Sequence, residues 1–270
     1  MQTMLRCCLA GFCYCAIVMM GSSSSTASER VLLSKSLKSA DAPSVQAVYA
    51  VARDGIDRHL DTNGALAHSI ISWESWLRSQ TGGRAIRLAR WSGEPSIAFI
   101  RLSATEAELL GKGVWIRDAM EAELARNGYL APGNVYAVYY DGPSIGQCGG
   151  GAWPPSLKGN VAALYLRGTF PNASTPPCAS HAFAGPGDPP GYLEFAMLHE
   201  ILHTMGYVAT CAPHHTQRGH VSDDPTDLMY AGPLPWKPAT LDVNHDDYFG
   251  HGRKSCPDLA RDPMLVREFP

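Results

Sequence analysis

Several features that would commit a chain to a specialised class are missing here. There is no basic block: 22 Lys and Arg stand against 25 Asp and Glu, a formal charge of -3. Neither nucleic acid nor an anionic membrane surface is therefore an expected partner. Internal repeats, sustained heptads and long low-complexity tracts are absent, which excludes solenoids and coiled coils. No linker divides the chain, and 270 residues with 45% hydrophobic content read as one well-packed domain. No apolar run reaches the about 20 residues that span a bilayer. No C-x2-C pair occurs, which weighs against a cysteine-based structural zinc site.

What is present begins with a targeting pattern. Arg6 gives a short positive region, Cys7 to Met20 is almost wholly apolar, and Gly21 to Ser28 is small and polar, the order of a secretory signal peptide. We expect residues 1–28 to be that signal, residues 40–270 to be the folded domain, and the protein to be secreted, with no membrane attachment after signal removal. Cys7, Cys8, Cys13 and Cys15 fall in the signal, leaving Cys148, Cys178, Cys211 and Cys256. An even number suits two disulfides in an oxidising compartment. Of the three connectivities, Cys148–Cys178 and Cys211–Cys256 are preferred, because each closes a Pro/Gly-rich segment. Asn172-Ala173-Ser174 is a glycosylation acceptor if the host glycosylates.

Patterning places strands at Val45–Ala52, Ala85–Trp91, Ser96–Leu102, Val135–Tyr140 and Val161–Leu166. It places amphipathic helices at Ala65–Gln80, stopped by Thr81-Gly82-Gly83, and at Val114–Asn127, stopped by Gly128. A third helix covers Tyr192–Met205. Asp141–Asn160 and Thr169–Pro190, rich in Gly and Pro, read as loops that could rim a cleft, and beyond Gly206 the chain reads as mostly irregular.

The chemistry concentrates in His199-Glu200-Ile201-Leu202-His203. Residues four apart share a helix face, so both imidazoles can reach one ion. Zn²⁺ accepts imidazole nitrogen and tolerates an open fourth position. Glu200 lies beside the first ligand, where it can take a proton from activated water and later deliver it to a leaving amine. A histidine pair serving only as core would leave two polar rings and Glu200 needing partners within the apolar stripe of Leu198, Ile201 and Leu202.

His199 to Gly206 reads H-E-x-x-H-x-x-G, and Asp227-Leu228-Met229-Tyr230 is similar to the Met-turn of metzincins, which the chain therefore resembles. It also resembles uncharacterised secreted bacterial and fungal proteins carrying A-P-H, then G-H-V, then D-L-M-Y. The resemblance implies an α+β fold: a twisted mixed sheet, two helices above an active-site helix, and a loop-rich C-terminal subdomain. It further implies a zinc endopeptidase acting on protein or peptide. The metzincin pattern expects a third ligand three residues after the glycine, where this chain has Ala209. The ligand must then come from an expanded loop, with His214 and His220 as candidates, His220 slightly preferred, and His215 solvent-facing.

Other residues carry paired readings. Tyr230 either stabilises the transition state or packs. Asp223, Asp224 and Asp227 either orient ligand imidazoles from behind or cap turns around Pro225. Asp242 to Asp247 resembles a Ca²⁺-type oxygen cluster but lacks EF-hand spacing, so a solvated loop is preferred. Trp153, Trp236 and Phe249 either line subsites or, as preferred, pack in the interior. Three functions stay open at this point: a zinc endopeptidase, a zinc amidase or narrow peptidase, and a binding protein on a metallopeptidase scaffold whose site has decayed. The intact Glu200 argues against the last.

Overall fold

A computed structural model of the chain describes residues 30–33, 42–172 and 176–267. The expected signal peptide with its four cysteines, and Ala173 and Ser174 of the glycosylation acceptor, lie outside these residues. The elements run β1 (Val31–Leu32), β2 (Val45–Val51), α1 (Ala65–Gln80), β3 (Ala85–Ile86), β4 (Arg90–Trp91), β5 (Glu94–Pro95), β6 (Ile97–Arg101), α2 (Glu106–Leu110) and α3 (Ile116–Arg126). They continue with β7 (Val135–Ile145), β8 (Gly149–Trp153), β9 (Leu157–Thr169), α4 (Tyr192–Thr204), β10 (His215–Thr216), β11 (His220–Val221) and β12 (Leu265–Val266).

The architecture is α+β around one mixed six-stranded sheet in the order β1-β6-β2-β7-β9-β8. All neighbours pair parallel except β8, which runs antiparallel to β9 at the edge. Central strands buried on both faces need apolar side chains at consecutive positions, and β2, β7 and β9 supply them. Val45, Ala47, Tyr49 and Val51 of β2, with Ala137, Tyr139, Ala162 and Leu164, face α1 and α4. Val48, Ala50, Tyr136, Val138, Ala163 and Tyr165 face α2 and α3. The sheet therefore separates two cores.

The two helices expected above the active-site helix lie on different faces of the sheet: α1 packs with α4, while α3 covers the opposite face. Three local readings also change. The expected strand over 85–91 is two short pieces, one pairing with β12 and one with β5. The chain turns away at Ser92-Gly93, both with positive φ. Fourteen of the twenty residues of the expected 141–160 loop are strand, because β7 runs on to Ile145 and β8–β9 form a hairpin. Finally, α3 begins at Ile116 and is preceded by the short α2, which is closed by a capping box of Thr105 and Glu108. The T-x-x-E spacing of that box is a helix-start signal present in the sequence.

Both preferred disulfides are present, Cys148–Cys178 and Cys211–Cys256. Such bonds persist in oxidising, extracellular environments. Among the described residues, no helix is long and apolar enough to cross a membrane.

Candidate metal centre

Helix α4 crosses the interior with Leu193, Met197, Leu198, Ile201 and Leu202 all buried. Its start is fixed by Glu194, whose carboxylate accepts the Gly191 N–H at 2.9 Å, the Ala184 N–H at 3.1 Å and the Ser69 hydroxyl at 2.6 Å. It ends at Gly206, whose φ of 96° turns the chain back. The helix is thus held at both ends while it carries His199, Glu200 and His203.

The structure brings His220, on β11, to those two histidines. Ring centroids lie 4.5 Å apart for His199–His203, 5.1 Å for His199–His220 and 4.6 Å for His203–His220. Each ring is oriented from behind by a backbone carbonyl. His199 Nδ1 lies 2.7 Å from Leu228 O, His203 Nδ1 3.1 Å from Tyr207 O, and His220 Nδ1 2.9 Å from Gln217 O. A carbonyl can only accept, so each Nδ1 carries the proton, and a neutral ring then presents a bare lone pair at Nε2. His203 Nε2 and His220 Nε2 approach to 3.1 Å. Two lone pairs at that distance need a cation or a proton between them.

Protonation is disfavoured throughout. Burial, then the neighbouring His220, pushes His199 down to about 3. Burial and the other two rings hold His203 well below the usual histidine value, and burial lowers His220. Three neutral imidazoles with their ligand atoms this close together could hold a metal ion. Glu200 is adjacent; burial pushes its carboxyl up to about 8, with the Arg117 charge opposing.

The site opens into a cleft of about 300 Å³. His199, Glu200 and His220 meet Tyr192, Tyr230 and Trp236 there. The Trp236 indole N–H donates to the carbonyls of Asp227 and Leu228 at 3.2 Å and meets the His199 ring edge-on. Trp236 therefore packs against the core, as expected, and also lines the cleft. Phe249 is buried, and Trp153 stacks on His215 and donates to Val208 O. The Tyr230 hydroxyl accepts the Leu234 N–H at 3.1 Å.

His214, the other sequence candidate, stands in a separate group. Its Nδ1 lies 2.9 Å from Asp247, 3.6 Å from Asp223 and 3.8 Å from Asp246. These carboxylates, Asp247 foremost, raise its pKa. Among the described residues, two groups could hold a metal ion by the proximity of their ligand atoms: His199, His203 and His220, and His214, Asp246 and Asp247. Asp227 is spent elsewhere. It accepts the N–H groups of Met229 and Val243 and the Tyr248 hydroxyl, fixing the turn from beneath. Asp224 caps Thr226. Within the acidic run, Asp242 is taken up by the N–H groups of Asp247, Tyr248 and Phe249.

Sequence reasoning missed the three orienting carbonyls and the cleft residue Tyr192. Backbone acceptors leave no side-chain signature. No protein-family model, curated protein or solved structure matches this chain.

Proposed function

We propose that the chain is a secreted zinc-dependent endopeptidase of metzincin-like plan, hydrolysing protein or peptide substrates. The observation that carries this reading is the set of three carbonyl-backed imidazoles whose free Nε2 atoms converge beside Glu200 at an open cleft. The mixed sheet with its antiparallel edge strand β8, and the buried Met229 next to Leu228, whose carbonyl backs His199, support the metzincin-like comparison. The two disulfides support export.

His199, His203 and His220 would hold the ion. When bound, zinc supplies a Lewis acid that polarises the scissile carbonyl and acidifies water. With a bound cation opposing the upward shift that burial gives its carboxyl, Glu200 would be ionised and take the proton from the attacking water as its oxygen bonds to the carbonyl carbon. When the C–N bond breaks, the same carboxyl returns that proton to the departing amine. Tyr192 and Trp236 wall the cleft, where a bound substrate would displace bulk water and strengthen the electrostatics inside.

The test is elemental analysis of the purified chain together with cleavage of casein and short peptides, with and without a chelator. One zinc per chain is expected, lost in His220→Ala and retained in His214→Ala. Cleavage should be abolished by the chelator and by Glu200→Ala. A folded protein that binds no zinc would sink the reading, whereas zinc without proteolysis would favour a narrow amidase.

A further inference from the structure

Beside Glu200 the edge strand β8 reads Gly149-Gly150-Gly151. None of the three has the positive φ that would demand glycine, so the backbone here would accept any L residue. What a side chain would meet is therefore decisive.

A Cβ on Gly149 would lie 2.5 Å from Glu200 Oε1, 2.9 Å from its Cγ and 3.0 Å from its Cδ. A Cβ on Gly151 would lie 2.8 Å from the Glu200 carbonyl oxygen, 2.9 Å from His203 Cβ and 3.1 Å from Glu200 Oε2. Gly150 points to the other face, where its Cβ would meet the Tyr165 hydroxyl at 2.9 Å. Positions 149 and 151 share a face because strand side chains alternate. The two glycines facing α4 thus leave the space that the Glu200 carboxylate fills. At Gly149 the nearest obstacles are all atoms of the Glu200 side chain, and at Gly151 they include the helix backbone.

We propose that Gly149 is a positioning residue whose missing side chain sets where the Glu200 carboxylate lies, while Gly151 sets how closely α4 approaches β8. This rests on reading Glu200 as the catalytic base. Glycine at 149 keeps the carboxylate against the strand, and any larger residue swings it away. Proton transfer needs hydrogen-bond reach to the attacking water, so a displacement of that size falls on the chemical step.

The experiment is a cycle of wild type, Gly149→Ala, Glu200→Ala and the double variant. Thermal midpoint and bound zinc are measured in all four, with kcat and KM on a peptide that the wild type cleaves. Gly149→Ala is expected to keep its zinc and its KM while kcat falls roughly 100-fold, the scale of a displacement of about 1 Å. Its thermal midpoint should fall, yet the same substitution made in Glu200→Ala should leave the midpoint level or raise it. Gly151→Ala should lower zinc content as well, because His203 is in its way. Unchanged kcat in Gly149→Ala, or an equal midpoint loss in both backgrounds, would overturn the proposal. A wild type that cleaves no peptide would count against the peptidase reading alone, since the thermal cycle still reports on the placement of Glu200.

Discussion

Two groups that could hold a metal ion stand in the C-terminal half of the chain, and their surroundings are opposite. Behind His199, His203 and His220, every ring is fixed by a backbone carbonyl. Around His214 there are three carboxylates, the nearest at 2.9 Å. The first group cannot balance itself, because its neutral rings present lone pairs to one another and burial resists protonation. The second balances itself by charging its one histidine. The proximity of potential ligand atoms ranks these groups alike, whereas the identity of the groups behind the rings separates them.

The largest expected break in this contrast comes from removing a ring of the first group. His199→Ala should lose both the bound ion and all hydrolysis, and its unfolding midpoint should become insensitive to added zinc. For the wild type, zinc at a hundredfold its Kd should add about 2.7 kcal/mol. Calorimetry with and without zinc measures both, and an equal response of the two proteins would remove the first group as the ion's site.

Next comes Glu200→Gln, which leaves the three rings intact. It should retain zinc and lose about 10²- to 10⁴-fold in kcat, the usual contribution of a positioned proton acceptor. Retained kcat would dismiss Glu200 as the base.

A smaller effect should follow from Asp227→Ala, which strips two buried donors and one part-buried donor of their acceptor. Donors left unpaired cost about 1–3 kcal/mol each at most, and denaturant titration would register the loss. Because Leu228 O, which orients His199, belongs to the same turn, zinc affinity should weaken alongside stability.

The smallest effect concerns the second cluster. Asp247, with Asp223 and Asp246, raises the folded His214 pKa above its unfolded value. Its contribution is therefore fully present below the ordinary histidine range and is lost as pH rises through the folded value. His214 is partly exposed, so under about 1 kcal/mol is expected. His214→Asn should flatten the stability-against-pH curve across that window, and zinc content should stay as in wild type.

Much of the fold is legible in the amino-acid order alone. Helix α1 matches its expected bounds of Ala65–Gln80, because apolar spacing and a Gly-Gly stop act locally. Helix α4 and the pairing of the four cysteines are equally readable. The triple glycine is not: Gly and Pro over 141–160 signal a loop when their neighbours are unknown, and here they mark a strand pressed against a helix. His220 is only slightly preferred over His214 on sequence grounds. The choice depends on whether a carbonyl or a carboxylate backs each ring, and only the folded chain decides that. The placement of α1 and α3 on opposite faces follows from the alternation within β2, β7 and β9, which the sequence displays as unbroken apolar runs.

The alternation of β2, β7 and β9 gives the molecule a partition with separate tenants. Residues that serve α2 and α3 and residues that serve α4 never share a core, so one side can be redecorated without consulting the other. Anyone wishing to attach a label, graft a loop or redesign packing has most of the face of α2 and α3 available without entering the cleft, Arg117 of α3 excepted because its charge acts on Glu200. The exception is the thin place in the partition, where the three glycines of β8 carry no side chains and backbone alone stands between Tyr165 and Glu200.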